Sequence, residues 1–340
     1  MNLIPHPLTL VTFVVAILSW PQQMEAIEDG VKTRLAFQAE IRALFEKGAY
    51  SELESLEEKL RTSQEMLPEG FPKSKFFNLG IAPLDTRDEE AWKRCLERLS
   101  EWQKSFPRSV AAPVAHASVL VSYAWKARGK SGADKVKDEG WELFEERLAK
   151  ARQILEDAGD ARQKSAEWFD PMLRIGMGQS WKRKDYDKLF DEAIKRFPEY
   201  TGYYYLRAVN LLPRWQGTEG EWEADLKEKC RKLDKERAYI TYARTVWAMD
   251  AAYYGNIFQE SKVEWPLVKA GFDLLFERFP DSEWNLNKFC RIAIDAGDTD
   301  TARLWMKRIG DKPMMEVWFK RATFLEARQR LGLDSSDPVN

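Results

Sequence analysis

Residues 185–198 read DYDKLFDEAIKRFP, and the apolar members Tyr186, Leu189, Phe190, Ala193, Ile194 and Phe197 step by three, one, three, one and three. That spacing lines one face of a helix turning about 100° per residue. Pro198 ends the run, because proline brings no N–H and bars the residue before it from helical backbone. The pattern recurs: Phe279-Pro280 closes a run with Val268, Phe272, Leu275 and Phe276, and Phe106-Pro107 closes a looser one with Cys95, Leu99 and Trp102. A helix with one apolar stripe must bury it against a neighbour, so the repetition predicts an all-α fold, an irregular tetratricopeptide-like α-solenoid of helical hairpins. The three marks are unevenly spaced and fit no multiple of a ~34-residue unit, so insertions interrupt the array.

The chain has 340 residues, 44% of them hydrophobic, which suffices for a large core. Lys and Arg number 53 against 55 Asp and Glu, a formal charge of -2, so no general attraction to nucleic acid is expected. Only His6 and His116 are present. A histidine triad or multi-histidine metal site is therefore excluded, and His116, flanked by alanines on an apolar helix, reads as a core imidazole. No phosphate-cradling glycine loop, nucleophile elbow or zinc-protease helix occurs, so no catalytic residue, metal ligand or cofactor is assigned. Asp298-Thr299-Asp300 opens like a calcium loop, but Ile309 stands where the closing glutamate belongs, and helix capping explains the acids better. Cys95, Cys230 and Cys290 are isolated and read as small core residues with no disulfide framework.

Residues 8–20 form an apolar stretch about two-thirds the length of a ~20-residue membrane span. With Pro21 after it and Ala26 as a small cleavage residue, residues 1–26 read as a signal peptide. The expectation is an exported, periplasmic protein with no stable membrane span once the leader is removed; an inner-membrane anchor or a cytoplasmic chain is the alternative. The organisation continues with an N-terminal helical hairpin at 27–62, an ordered loop at 63–84, a helical-repeat domain at 85–332 and a frayed tail at 333–340. About fourteen helices are expected, one beginning at Asp85 or Thr86 and the last running over residues 317–331.

Two segments carry candidate binding residues. In the first, successive Tyr203, Tyr204 and Tyr205 point in different directions around a helix, with Arg207 after them. Pro213 then places Arg214 and Trp215 on a loop, and Glu221 and Trp222 follow. Arginine beside exposed aromatics is the usual make-up of a binding hot spot. In the second, Tyr123, Trp125, Lys126 and Arg128 end a helix beside a basic loop with Lys130, Lys135 and Lys137. If the two segments approach in space, they form one aromatic and cationic surface for an acidic peptide, an anionic glycan or a partner helix. Glu221 and Asp225, one helical turn apart, are the pair best spaced for acid and base work.

The stretches at 122–129, 139–141, 203–205, 211–215 and 220–223 together resemble the bacterial domain-of-unknown-function family numbered 4034. The resemblance extends to residues 285–297, and so over most of the mature chain. It implies a tetratricopeptide-like helical fold and supplies no catalytic residues; it marks Arg214, Trp215, Glu221 and Trp222 as a family hallmark. The family pattern carries a glycine after the Arg-Trp pair where this chain has Gln216. The function expected is a non-enzymatic scaffold binding a protein or peptide partner, with no nucleic acid and an oligomeric state the sequence does not fix. The alternative is a cell-envelope glycan-binding module, or a glycan-cleaving enzyme using Glu221.

Overall fold

The three Phe-Pro marks adopt the same local structure. Each phenylalanine caps a helix: Phe106, Phe197 and Phe279 have φ/ψ of -127/70, -130/68 and -133/64. Each donates its N–H at 2.9 Å to the carbonyl four residues back, on Trp102, Ala193 and Leu275. Each carbonyl then accepts from the third residue on, Ser109 at 2.9 Å, Tyr200 at 3.1 Å and Ser282 at 3.2 Å. The proline that follows has no N–H and keeps the preceding ψ out of the helical well, so the chain leaves through a tight turn and starts its next helix at once.

The computed structural model describes residues 29–63, 65–129 and 132–333. They hold eighteen α-helices and no β-strand, so the fold is all-α. The helices are α1 (Asp29–Lys47), α2 (Tyr50–Ser63), α3 (Phe77–Ile81), α4 (Glu89–Ser105), α5 (Ala111–Arg128), α6 (Asp138–Asp157), α7 (Gly159–Lys164), α8 (Phe169–Gly178) and α9 (Arg183–Arg196). After them come α10 (Gly202–Asn210), α11 (Glu221–Cys230), α12 (Lys235–Met249), α13 (Ile257–Glu260), α14 (Trp265–Arg278), α15 (Glu283–Asp295), α16 (Thr299–Ile309), α17 (Met315–Trp318) and α18 (Arg321–Arg330). The expected leader at 1–26 and tail residues 334–340 lie outside the described residues. Leu333 is buried rather than frayed, and its N–H donates to Arg328 O at 3.1 Å.

Two compact units share these helices. The first comprises Phe37–Glu65 and Pro72–Leu206; the second comprises residues 29–36, Met66–Phe71 and residues 207–333. In the first, α4 packs on α5, α5 on α6 and α8 on α9. The predicted stripes supply its core: Leu99 and Trp102 from α4, Phe144 and Leu148 from α6, and Tyr186, Phe190 and Ala193 from α9. Gly178 lies so close to α6 that a Cβ there would sit 2.6 Å from Leu148 Cδ1 and 2.8 Å from Phe144 Cζ. Helix α5 shows no wet side over its first two turns, where Ala111 to Ala117 are all buried. A helix apolar all round belongs inside.

In the second unit α12 packs on α14 and α15 on α16. Phe272 stacks on Phe289 at 4.7 Å and 5°, and Phe276 on Trp305 at 4.2 Å and 12°. Asp298 caps α16 by accepting from Thr301 N at 3.0 Å, which is the capping role expected for it.

Several boundaries differ from the sequence reading. Helix α4 begins at Glu89 because Asp88 takes the free amides of Glu90 and Ala91, while Asp85 accepts from Arg87 N instead. The expected loop at 63–84 contains a 3-10 turn, Lys73–Phe76, and the short α3, with Phe76 and Phe77 buried. The expected last helix is two, broken where Phe319 turns to φ +60°.

Candidate functional site

The end of α5 and the start of α6 frame an open groove of about 350 Å³. Its lining includes Arg128, Lys135, Lys137, Glu139 and Gly140, so three cations face one carboxylate. Gly140 allows α6 to approach, since a Cβ there would lie 3.0 Å from Ala127 O. Gly129 has φ +73°, which turns the chain out of α5 at the groove's edge.

Of the four expected residues from this segment, Arg128 lines the groove and Trp125 lies beside it. The Arg128 guanidinium lies 5.7 Å from the Trp125 ring centre and 5.6 Å from that of Trp141, between two indoles. Burial pulls Arg128 below its ordinary pKa. Trp125 meets Phe144 edge-on at 5.0 Å. Lys126 pairs with Glu89, whose carboxyl that contact and the Tyr123 hydroxyl hold below the usual range. Tyr123 itself is a packing residue: its ring stacks on Trp92 at 4.7 Å, Arg147 covers it at 3.3 Å, and its hydroxyl donates to Glu89 Oε2 at 2.5 Å. Lys130 lies outside the described residues.

The segment at 203–222 resolves differently. Tyr204 is buried and meets Phe190 edge-on at 5.6 Å. Arg207 is only 4% exposed and donates twice to Asp225, at 3.2 and 3.0 Å. Trp222 is 1% exposed and donates from Nε1 to the Tyr253 hydroxyl at 2.7 Å. Glu221, the first residue of α11, accepts from Thr218 N at 2.8 Å and Thr218 Oγ1 at 3.2 Å, which ties the preceding turn to the start of the helix. Arg214 is exposed and Trp215 half-buried, on a turn closed by Trp215 N to Leu212 O at 2.8 Å. The glycine this turn requires is Gly217, one place after Gln216: a Cβ on it would fall 1.9 Å from Leu211 O. Tyr123, Trp125, Lys126, Arg128 and Tyr204 belong to the first unit, and Arg207, Arg214, Trp215, Glu221 and Trp222 to the second.

Sequence reasoning did not find a buried polar cluster in the second unit. Glu69, fully buried, accepts from Arg34 Nη1 at 3.4 Å, and Arg34 Nη2 reaches Glu316 Oε2 at 3.0 Å. Arg244 Nη2 donates to the carbonyls of Glu69 and Gly70 at 2.7 and 3.0 Å, and Asn285 Nδ2 donates to Glu69 O at 3.3 Å. Lys288 Nζ lies 3.7 Å from the Trp247 ring centre and 4.7 Å from that of Trp284. Burial lowers Lys288 well below its ordinary pKa and brings Arg244 down to about 9. The only signal in sequence was Gly70 amid apolar residues, and it does not reveal what surrounds it.

His116 is buried, its Nδ1 facing Gln103 Oε1 and its Nε2 without a hydrogen-bond partner. Burial, then the Lys150 charge, lowers its pKa to about 4, so it is neutral at pH 7. The three cysteines are free and buried. Among the described residues no group of three or more His, Cys, Asp or Glu is placed to hold a metal ion, and no helix is long and apolar enough to cross a membrane.

Residues 37–167 match the model of a family described as a domain of unknown function, DUF4034. No curated protein and no solved structure matches the chain. The groove residues at 125–143 lie inside the matched segment, whereas residues 203–223 and 285–297 lie beyond it.

Proposed function

We propose that this chain is a non-enzymatic, tetratricopeptide-like helical scaffold that binds an acidic peptide segment of a partner protein in the groove between α5 and α6. One observation carries the reading: an open groove of about 350 Å³ whose described lining residues include three cations, Arg128, Lys135 and Lys137, and one carboxylate, Glu139. Trp125 and Trp141 at its edge add flat, stiff surface on which a peptide side chain packs at little entropic cost. The indoles also hold Arg128 in place, so less side-chain freedom is lost when it meets a carboxylate. Exposed Lys135 and Lys137 supply charge complementarity, which speeds encounter and weakens with salt.

The test is fluorescence anisotropy with a labelled peptide of alternating glutamate and tyrosine. The full chain is expected to bind it, and the double variant Lys135→Glu, Lys137→Glu to bind at least about tenfold more weakly, a loss of about 1.4 kcal/mol. Arg214→Ala with Trp215→Ala leaves the groove intact and is expected to bind as the parent does. Equal binding by the charge-reversed variant, or no binding by the parent, refutes the proposal. Export to the periplasm belongs to the same proposal, resting on residues 1–26 read as a leader. Cell fractionation that finds the tagged full chain in the cytosol overturns that part.

A further inference from the structure

We infer that Met66–Phe71 occupies a peptide-binding cleft of the second unit as an internal ligand, and that a partner peptide with the same acid-glycine-aromatic sequence competes for it. This site is separate from the α5–α6 groove and stands on different residues.

The segment is held the way a bound peptide is held. Its main chain is captured by side chains remote in sequence, Arg244 of α12 on two successive carbonyls and Asn285 of α15 on the first of them. Main-chain capture gives affinity for almost any sequence, and side-chain pockets then select among them. Three such selections are present. Glu69 enters a fully buried position against Arg34. Gly70 has φ +75°, and a Cβ on it would fall 2.2 Å from Phe279 Cε2, so only glycine fits there without displacement. Phe71 meets Trp284 edge-on at 5.6 Å while Arg244 covers its ring at 3.9 Å. Lys288 braces the Trp284 indole, lying 4.7 Å from its ring centre.

The segment folds on itself with Leu67 N donating to Phe71 O and Gly70 N to Leu67 O, both at 2.8 Å, so it enters as a preformed turn. The match is imperfect. Glu69 Oε2 and Glu316 Oε1 are buried without hydrogen-bond partners. A buried acceptor left unpaired weakens the hold on the internal segment, the condition under which an incoming peptide at sufficient concentration can take its place.

The probe is labelled acetyl-Leu-Pro-Glu-Gly-Phe-amide, titrated into the full chain and into the double variant Glu69→Ala, Phe71→Ala. That variant strips the internal ligand of its selective side chains and keeps every clamp. It is expected to bind the probe about tenfold or more tightly than the parent, because the competing occupant is weakened, and adding Arg244→Ala is expected to abolish binding. Lys135→Glu with Lys137→Glu is expected to change nothing, which separates this site from the groove. Equal affinity in parent and loop variant, retention of binding after Arg244→Ala, or loss on reversing the groove charges overturns the inference. Should the loop variant fail to fold, hydrogen exchange of the parent decides. Saturating probe is expected to speed exchange at the Leu67 and Gly70 amides as the segment leaves, and unchanged exchange at those amides refutes displacement.

Discussion

Replacing Glu167 with glutamine should remove a pH dependence of stability that the parent shows between pH 5 and 8. Glu167 sits in the 3-10 turn Ala166–Trp168, with its Oε1 accepting from Ser74 Oγ at 3.0 Å and its Oε2 from the Tyr200 hydroxyl at 2.9 Å. It lines a cavity of about 10 Å³, room for about one water, together with Glu57, Ser165 and Asn78. Burial pushes its carboxyl from 4.5 up to about 7; the Tyr200 hydrogen bond opposes this and the Asp170 charge adds to it. An acid whose pKa is raised by folding binds its proton more tightly in the native state. Its favourable contribution is therefore complete below the unfolded value and is lost as pH rises through the folded one. Integrating the two titrations from pH 5 to 8 gives a loss of about 2.5 kcal/mol from this group alone. Glutamine keeps the shape and carries no titrating proton. Urea unfolding of parent and variant at pH 5, 6, 7 and 8 isolates the term as a difference, cancelling every other titrating group. The parent should lose about 2.5 kcal/mol relative to the variant across that range, most of it above pH 5.5. A difference that stays flat, or that grows in the parent's favour with pH, refutes the account of Glu167 as a carboxyl kept protonated by its surroundings.

Gly217→Ala should cost about 2 kcal/mol or more and lower the melting temperature, because the new methyl meets a main-chain carbonyl that cannot give way. A thermal melt matching the parent's would show that the turn after Pro213 does not need glycine. Burial raises the thiols of Cys95 and Cys230 to about 12 and Cys290 further still. At pH 8 a thiol reagent should therefore find none in the native chain and three after denaturation. Reaction of any native thiol within minutes counts against that burial. His116, lowered to about 4, contributes stability that is present above about pH 6.5 and is lost as pH falls through 4, up to about 3 kcal/mol. Its imidazole resonance, distinguishable from that of His6 alone, should titrate near pH 4, and a midpoint near 6.5 would refute the buried neutral ring.

The features legible in sequence were those set by local chemistry. Each Phe-Pro turn is fixed by the missing proline N–H, and its geometry recurs within a few degrees at Phe106, Phe197 and Phe279. The stripes through Leu99, Phe144 and Phe190 were legible because burial repeats at helical period. The break at Phe319 was not, since no glycine or proline marks it and a left-handed phenylalanine is held only by its surroundings. Nor was the fate of the three tyrosines. One stripe per helix would push some rings outward, yet Tyr203, Tyr204, Leu206, Arg207, Ala208 and Val209 of α10 are all buried. A helix covered on every side has no wet face to offer, and periodicity cannot say how many neighbours it has.

The same reasoning explains why arginine beside aromatics marked a surface at one place and a core at the other. A guanidinium enters the interior only with a carboxylate brought close, as Arg207 does with Asp225 eighteen residues on, supplied by α11. Sequence shows the arginine and the rings but not which remote acid folds back onto them. At the end of α5 the acid Glu89 reaches Lys126 and Tyr123, one turn before Arg128. Arg128 lies instead beside two indole faces, those of Trp125 and Trp141, and donates from Nη1 to Gly129 O at 3.3 Å, so the rings and its own backbone help to fix the cation at the groove. Placing an acid among the groove's lining residues, as in Leu143→Glu, should therefore set a fixed carboxylate beside the groove's cations and weaken capture of an acidic peptide by about tenfold, or about 1.4 kcal/mol, with the melting temperature unchanged. Leu143 lines the groove and is half-buried, so the new carboxylate reaches solvent without an internal void. Undiminished capture by that variant would mean that Arg128 only braces the indoles and that the peptide's acids are read by Lys135 and Lys137 alone.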